Sequence, residues 1–410
     1  LKGVLAAVTV ALLAGCSTPC DVSGRLCAPF EANTRPLAEP QYQQRSTAPA
    51  EPAIPEAEVQ TMPVDSPDQP QPEAAAPTGK TVRIGLMLPL RSAALGKPAD
   101  ILRAGFMAAH AHEGAGYVVD VIDSGDGPQQ ALEAYARAAE NNDIVVGPLA
   151  RSDVSAVASS PALRKPTIAL NHPDAGTLVP PNMIVIGLSI EDEARQAAAW
   201  ISREQPGASA IIVTGPAAWQ HRIANAFADE WIKLGHNSEE VELPTGNGYQ
   251  IEMAIGQLNS KVQDERPTLI FAALDAVQAR QVRGVLGNGV PFYGSSSVNP
   301  RPVAGDTQPE LDGVRMLDLP WVMQRDDAAV AAYRRFDGSP LTLDMERVYA
   351  LGIDAFCVAR EIAKGRNNFE LDGVTGKLKG NYGNGSAQFS RTMPVAVYQG
   401  GAARMPAAGQ

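Results

Sequence analysis

Cysteine is scarce in this chain, with four residues in 410, and their spacing pairs with no second Cys or His group of the kind that holds zinc. Histidine is scarcer in proportion to what metal or acid–base chemistry would ask: His110, His112, His172, His221 and His236 complete the set. His110 and His112 stand two apart on a predicted helix, hence on different faces, and are badly placed to chelate one ion. There is no HExxH, no P-loop and no dinucleotide-binding fingerprint. Gly294-Ser295-Ser296-Ser297 lacks the glycine that follows the serine of a nucleophile elbow. Positive charge never gathers into a stripe, and the formal net charge is -11, which argues against nucleic acid as a partner. Together these absences leave no catalytic residue, no metal and no cofactor to nominate. The chain reads as a binding or regulatory protein rather than an enzyme.

Apolar runs are short as well. The one at 4–13 cannot span a bilayer as a stable helix, but it follows Lys2 and ends at Leu13-Ala14-Gly15-Cys16. A basic start, a short apolar stretch and small residues before a cut site describe a secretory signal. The last four residues resemble a bacterial lipobox, which implies a signal peptide at 1–15 and acylation, including palmitate, of Cys16. Several acyl chains on one residue hold far more firmly than one. Ser17, in the place where aspartate favours inner-membrane retention, points to a periplasmic protein anchored to the inner leaflet of the outer membrane. In that oxidising compartment Cys20 and Cys27 are able to pair, whereas Cys357, among apolar neighbours on a predicted helix, reads as a buried free thiol.

From 16 to 79 the chain is the lipidated cysteine and then a linker in which about one residue in five from 28 onward is proline. Few large apolar residues occur there, so the expectation is a disordered, polyproline-rich leash. About 50 residues at roughly 3.1 Å each reach on the order of 150 Å when fully extended.

After Lys80 the texture changes to an alternation of short apolar runs and longer helical ones. Strands are predicted at 82–88, 117–123, 144–147, 167–170 and 184–187, with helices at 98–113, 128–141 and 152–160 between them. A second series follows, with helices at 191–205, 218–234, 250–261 and 276–286 and strands at 210–214, 268–272 and 292–293. Near-continuous apolar strands separated by helices indicate parallel sheets covered on both faces. Asp326-Asp327 is read as the start of a helix. A long helix at 343–364 and a hairpin at 376–381 and 387–392, turning at Gly383-Asn384-Gly385, come late. The fold class is therefore α/β: two doubly wound, Rossmann-like lobes with a multi-crossing hinge, the arrangement of a type I periplasmic binding protein. The expected limits are 80–188 and 322–370 for lobe 1, 189–321 and 371–400 for lobe 2, and a tail at 401–410.

Loops at the carboxyl ends of the strands collect ligands in such folds. The cleft candidates are accordingly Leu90, Arg91, Ser92, Pro148, Leu149, Arg151, Ser152 and Asn171 in the first lobe. Thr214, Asp275, Ser295, Ser296 and Trp321 come from the second lobe and the crossing. Ser152, with Asp153, is either a helix N-cap or a ligand contact. Arg91 and Arg151 are either bidentate carboxylate or phosphate receptors or solvated rim residues. Trp321 is either a packing anchor or a stacking platform.

Several motifs in order resemble one family over about residues 80–400. They are Val82-Arg83-Ile84-Gly85-Leu86-Met87-Leu88-Pro89-Leu90, Phe292-Tyr293-Gly294-Ser295-Ser296, Leu311-Asp312-Gly313-Val314-Arg315, Leu319-Pro320-Trp321, Tyr349 to Phe356 and Leu371 to Gly376. The chain is similar to the LppC family of penicillin-binding protein activator lipoproteins. That resemblance implies a non-enzymatic outer-membrane lipoprotein that stimulates peptidoglycan synthesis by a class A penicillin-binding protein. Long members of the family carry a helical-repeat domain where this chain has its proline-rich leash, so the leash is expected to act as a spacer. The competing reading is the substrate-binding component of an ABC importer for branched-chain amino acids or a similar small molecule held in the cleft. Leu149-Ala150-Arg151 stands where such binders place Ser or Thr hydroxyls, which weakens it. A peptidoglycan hydrolase or amidase lacks its catalytic constellation.

Overall fold

The computed structural model describes residues 81–301, 305–383 and 387–406, all within a compact unit of Pro72–Gln410. The expected signal peptide, Cys16, Cys20, Cys27 and the linker lie outside the described residues.

The first half is built from β1 (Val82–Leu88), α1 (Gly96–Glu113), β2 (Tyr117–Asp123), α2 (Pro128–Asn141), β3 (Ile144–Val146), α3 (Arg151–Ala158), β4 (Thr167–Ala169) and β5 (Met183–Val185). Its five strands are all parallel in the order β2-β1-β3-β4-β5. Alternation along β1 sends Ile84, Leu86 and Leu88 to one face and Met87 to the other, so each face has its own apolar layer.

The second half begins with α4 (Ile190–Glu204), β6 (Ser209–Thr214), α5 (Ala218–Lys233), β7 (Asn237–Glu242), α6 (Gly248–Glu265), β8 (Leu269–Ala273), α7 (Ala276–Leu286), β9 (Phe292–Gly294) and β10 (Arg315–Leu317). The parallel strands run β7-β6-β8-β9-β10, which repeats the order of the first sheet. The chain then returns through α8 (Pro320–Met323) and α9 (Ala328–Ala331) to α10 (Leu343–Ala363), which packs along α1 on the first half. Next come β11 (Asn368–Gly373), β12 (Gly376–Asn381) and β13 (Gln388–Thr392), a separate antiparallel sheet beside β5. Finally β14 (Val395–Gln399) and β15 (Ala402–Arg404) extend the second sheet antiparallel to β10.

The doubly wound class and the predicted hairpin of β12 and β13 stand as expected, and Asp327 caps α9 as its position suggested. The division of the late chain does not. Of residues 371–400, expected with the second lobe, 371–392 hydrogen-bond within their own sheet beside β5 on the first half, and only 395 onward joins the second. The expected tail contains β15. Cys357 is a buried free thiol.

Contact between α1 and α10 is set by two glycines. A Cβ on Gly105 would lie 2.0 Å from the Tyr349 carbonyl oxygen, and one on Gly352 would lie 2.1 Å from that of Leu102. Replacing a helical glycine by alanine ordinarily gains about 1 kcal/mol. Here the added methyl meets rigid backbone, and overpacking of about 1–3 kcal/mol outweighs that gain. Gly352→Ala should therefore lower the unfolding free energy by about 1–2 kcal/mol in urea titration. Gly256→Ala, where the Cβ meets open space on α6, should raise it by up to about 1 kcal/mol.

Candidate functional site

The carboxyl ends of the second sheet face the amino end of α10 across a cavity of about 980 Å³. Gly187 to Ile190, Glu193 and Gln196 form its base, and Asp275, Ser295, Ser296 and Asn299 form one wall. Thr342, Asp344 and Arg347 form the opposite wall, with Phe389, Ser390 and Arg391 closing it from β13.

A buried polar chain lies against this cavity, with Glu193, Ser296, Asn299 and Arg347 in its lining and Asp318 behind them. Asp318, between β10 and α8, has a fully buried carboxylate. It accepts from Arg347 Nε at 3.1 Å and Nη2 at 2.8 Å, from Asn299 Nδ2 at 2.7 Å and from the Leu319 amide at 2.8 Å. Arg347 also donates to the Ser296 carbonyl at 3.0 Å and to Asp344 at 2.8 Å. Burial opposes its charge, but the Asp318, Glu193 and Asp344 carboxylates hold it protonated well above the ordinary guanidinium range. Ser296 turns its amide towards Glu193 Oε1 and its hydroxyl to Oε2, the latter at 3.0 Å.

Glu193 is held there by helix geometry. Ser189 caps α4 by accepting the Asp192 amide at 3.0 Å, and the stripe Ala194, Ala197, Ala198 and Ile201 faces the core. Glu193 falls in that stripe and is carried inward with it. Burial raises its pKa to about 7; the Ser296 amide and Arg347 pull it down, and Asp318 pushes it up. A second buried arginine, Arg391 on β13, donates to the carbonyls of Ile186 at 2.7 Å and Gly187 at 3.1 Å and to Thr375 Oγ1 at 2.8 Å. Burial lowers its pKa to about 10. Asp354 of α10 accepts the Val374 and Thr375 amides at 3.0 and 2.8 Å, and burial raises its pKa.

Of the residues nominated from sequence, Asp275, Ser295 and Ser296 line this cavity. Asp275 caps α7 through the Gln278 amide at 2.8 Å, and Ser295 meets the Ser297 hydroxyl at 2.6 Å. The others lie outside its lining. Ser92 accepts the Leu95 amide at 3.2 Å ahead of α1, and the Leu90 amide donates to Asp123 at 3.1 Å. Arg91, with its side chain 86% exposed, pairs with the same Asp123. The Pro148 carbonyl accepts the Leu170 amide at 3.0 Å, and the Leu149 carbonyl accepts Asn171 Nδ2 at 3.1 Å. Thr214 is fully buried and bonds the Gly215 carbonyl at 3.3 Å. Arg151 opens α3, whose N-cap is Ala150; Ser152 and Asp153 sit inside the first turn and not at the cap. Trp321 is fully buried, donates to Glu346 at 2.7 Å and lies under the Arg335 guanidinium at 3.5 Å.

Sequence reasoning missed Glu193, Asn299, Asp318, Arg347 and Arg391. The signal for Glu193 was a carboxylate inside an apolar helix stripe, and for Asp318 a lone acid in a short apolar run. Among the described residues no group of His, Cys, Asp and Glu is placed to hold a metal ion.

Comparison with known proteins places the chain. Residues 77–401 match the family described as "LppC putative lipoprotein". This chain belongs to the LppC family. Penicillin-binding protein activator LpoA of Edwardsiella piscicida is 27% identical over 332 residues, covering 69% of this chain and 45% of its own length. The corresponding protein of Klebsiella pneumoniae is 28% identical over 298 residues, or 64% of this chain and 41% of its own. This LppC-family chain thus spans about half the length of the curated relatives it matches. A solved structure from Chromobacterium violaceum, described as a "putative branched-chain amino acid ABC transporter", is 34% identical with a TM-score of 0.64 and covers 77% of this chain and 99% of that one. The LpoA C-domain from Haemophilus influenzae, described as a regulator of PBP1A, superposes with a TM-score of 0.61 at 22% identity, covering 79% and 100%. The fold is that of the type I periplasmic binding proteins.

The buried acid has a titration consequence. The unfolded chain releases a glutamic proton near pH 4.5, whereas folded Glu193 keeps it to about 7. Between those values the folded state binds more protons, so stability falls as pH rises through the window. Glu193→Gln should remove that slope, leaving the variant more stable than wild type by on the order of 3 kcal/mol above pH 7, as read by urea unfolding at pH 5 and pH 8.

Proposed function

We propose that this LppC-family chain is a non-catalytic activator of a class A penicillin-binding protein, tethered to the outer membrane and controlling peptidoglycan synthesis from the periplasm. The observation that carries the reading is the state of the cleft. An amino-acid receptor takes the ligand's carboxylate with free donors such as hydroxyls, backbone amides or a cation. Here the amide and hydroxyl of Ser296 are turned to the protein's own Glu193, and Arg347 is bonded to Asp318, Asp344 and the Ser296 carbonyl. Glu193 thus takes up the Ser296 donors from within the protein. Relatives named as penicillin-binding protein activators support the same direction. Leu13-Ala14-Gly15-Cys16 supports acylation at Cys16, and the family's description as lipoproteins agrees.

The second reading, an importer's binding component, is favoured by the Chromobacterium relative's description and by a cavity roomy enough for a small molecule. Leu90, Arg91, Ser92, Pro148, Leu149, Arg151, Ser152 and Asn171, at strand ends of the first half, are the cleft or ligand contacts proposed for that half.

Glycan-chain synthesis by the purified class A penicillin-binding protein, with and without added chain, separates the two. A saturable rise in rate is expected; an unchanged rate together with a leucine-, isoleucine- or valine-dependent rise in Tm would establish the importer reading instead. In cells, Cys16→Ser should abolish labelling by radioactive palmitate and move the protein from the membrane to the soluble periplasmic fraction.

A further inference from the structure

The chain crosses between the halves three times: from β5 to α4, from β10 to α8 and from β13 to β14. Proteins of this architecture close on a ligand because a few crossing residues are free to absorb changes in φ and ψ. Each crossing here is instead held by a side chain from another element. At the first, Arg391 grips the Ile186 and Gly187 carbonyls. At the second, the Asp318 carboxylate takes Arg347 from the first half and Asn299 from the second. At the third, Gln196 of α4 bonds Met393 through both its amide groups, donating to the carbonyl at 2.8 Å and accepting the N–H at 3.2 Å. The second and third crossings also touch directly, Asp318 N to Pro394 O at 3.4 Å. Arg347 further reaches the Ser296 carbonyl across the cleft, and one continuous apolar cluster spans facing elements of both halves.

We infer that these held crossings, together with the Arg347 bonds from α10 to Asp318 and Ser296 on the second half, fix the angle between the halves, so that the protein is a rigid scaffold that does not open and close around a ligand. Opening would break the Asp318–Arg347 pair and the bond from Arg347 to the Ser296 carbonyl, leaving the buried Asp318 carboxylate with only Asn299 and the Leu319 amide. Hydrogen-bonded crossings also give a docking partner one composite surface, already in its final geometry. The inference rests on these contacts alone and holds whichever partner is engaged.

Single-molecule energy transfer tests it on the full chain, with ketone-bearing residues replacing the exposed Glu133 on α2 and Glu252 on α6 to carry donor and acceptor. Wild type should show one narrow distance distribution, unmoved by saturating leucine. Arg347→Ala should broaden it or add a longer-distance population. Gln196→Ala and Asn299→Ala, which leave no buried charge unpaired, should do the same to a smaller degree and decide the matter if Arg347→Ala loses its far-ultraviolet circular dichroism. Two interconverting distances in wild type would overturn the inference, and so would wild-type distributions in every folded variant.

Discussion

One buried carboxylate, Asp318, organises the middle of this molecule. Withdrawing it from water is costly, and four donors converge to compensate: two from Arg347, one from Asn299 and one from the following amide. Those donors come from α10, from the loop after β9 and from the crossing itself, so satisfying one charge fixes three segments together. Arg347, drawn inward by Asp318, then presents a donor to the Ser296 carbonyl, and that turn of backbone aims the Ser296 amide at Glu193. The electrostatics propagate outward from a single acid. A buried pair of this kind is a weak contributor to net stability, but breaking it by removing one partner is costly, which ties α10 to the crossing.

The sequence was informative wherever burial acts locally. Val82–Leu88 and Leu269–Ala273 are near-continuous apolar runs, and their alternating faces meet two different apolar layers, as a covered parallel sheet requires. Asn237–Glu242 escaped notice because NSEEVE is an edge strand with little to bury; its neighbour β6, and not its own composition, makes it a strand. β14 escaped for a related reason, since its pairing partner β10 lies far back in the chain, and β15 pairs in turn with β14.

The cleft was legible only in part. Placing it at the strand ends brought in Asp275, Ser295 and Ser296, which the topology does assemble. Arg91 was nominated from the same rule, but its guanidinium folds back to Asp123, a partner on the next strand. Loop position follows from strand order, whereas side-chain direction follows from which charge is nearest after folding. Arg347 and Asp318 are 29 residues apart and Glu193 and Ser296 are 103 apart, distances at which a sequence carries no pairing signal of its own. Shared architecture likewise leaves function open, since chains described as a transporter component and as a regulator superpose on the same fold.

The chain order of α10 and β14 bears on biogenesis. Helix α1 exposes an apolar face, with Leu102 and Phe106 on it, until α10 arrives to cover it, and α10 is made only after every parallel strand of the second sheet. The second sheet in turn waits for β14, which follows α10. The first half is complete only after β13 and the second only after β14 and β15. A polypeptide of this design matures late, and its unfinished halves keep apolar surface exposed until the last strands dock.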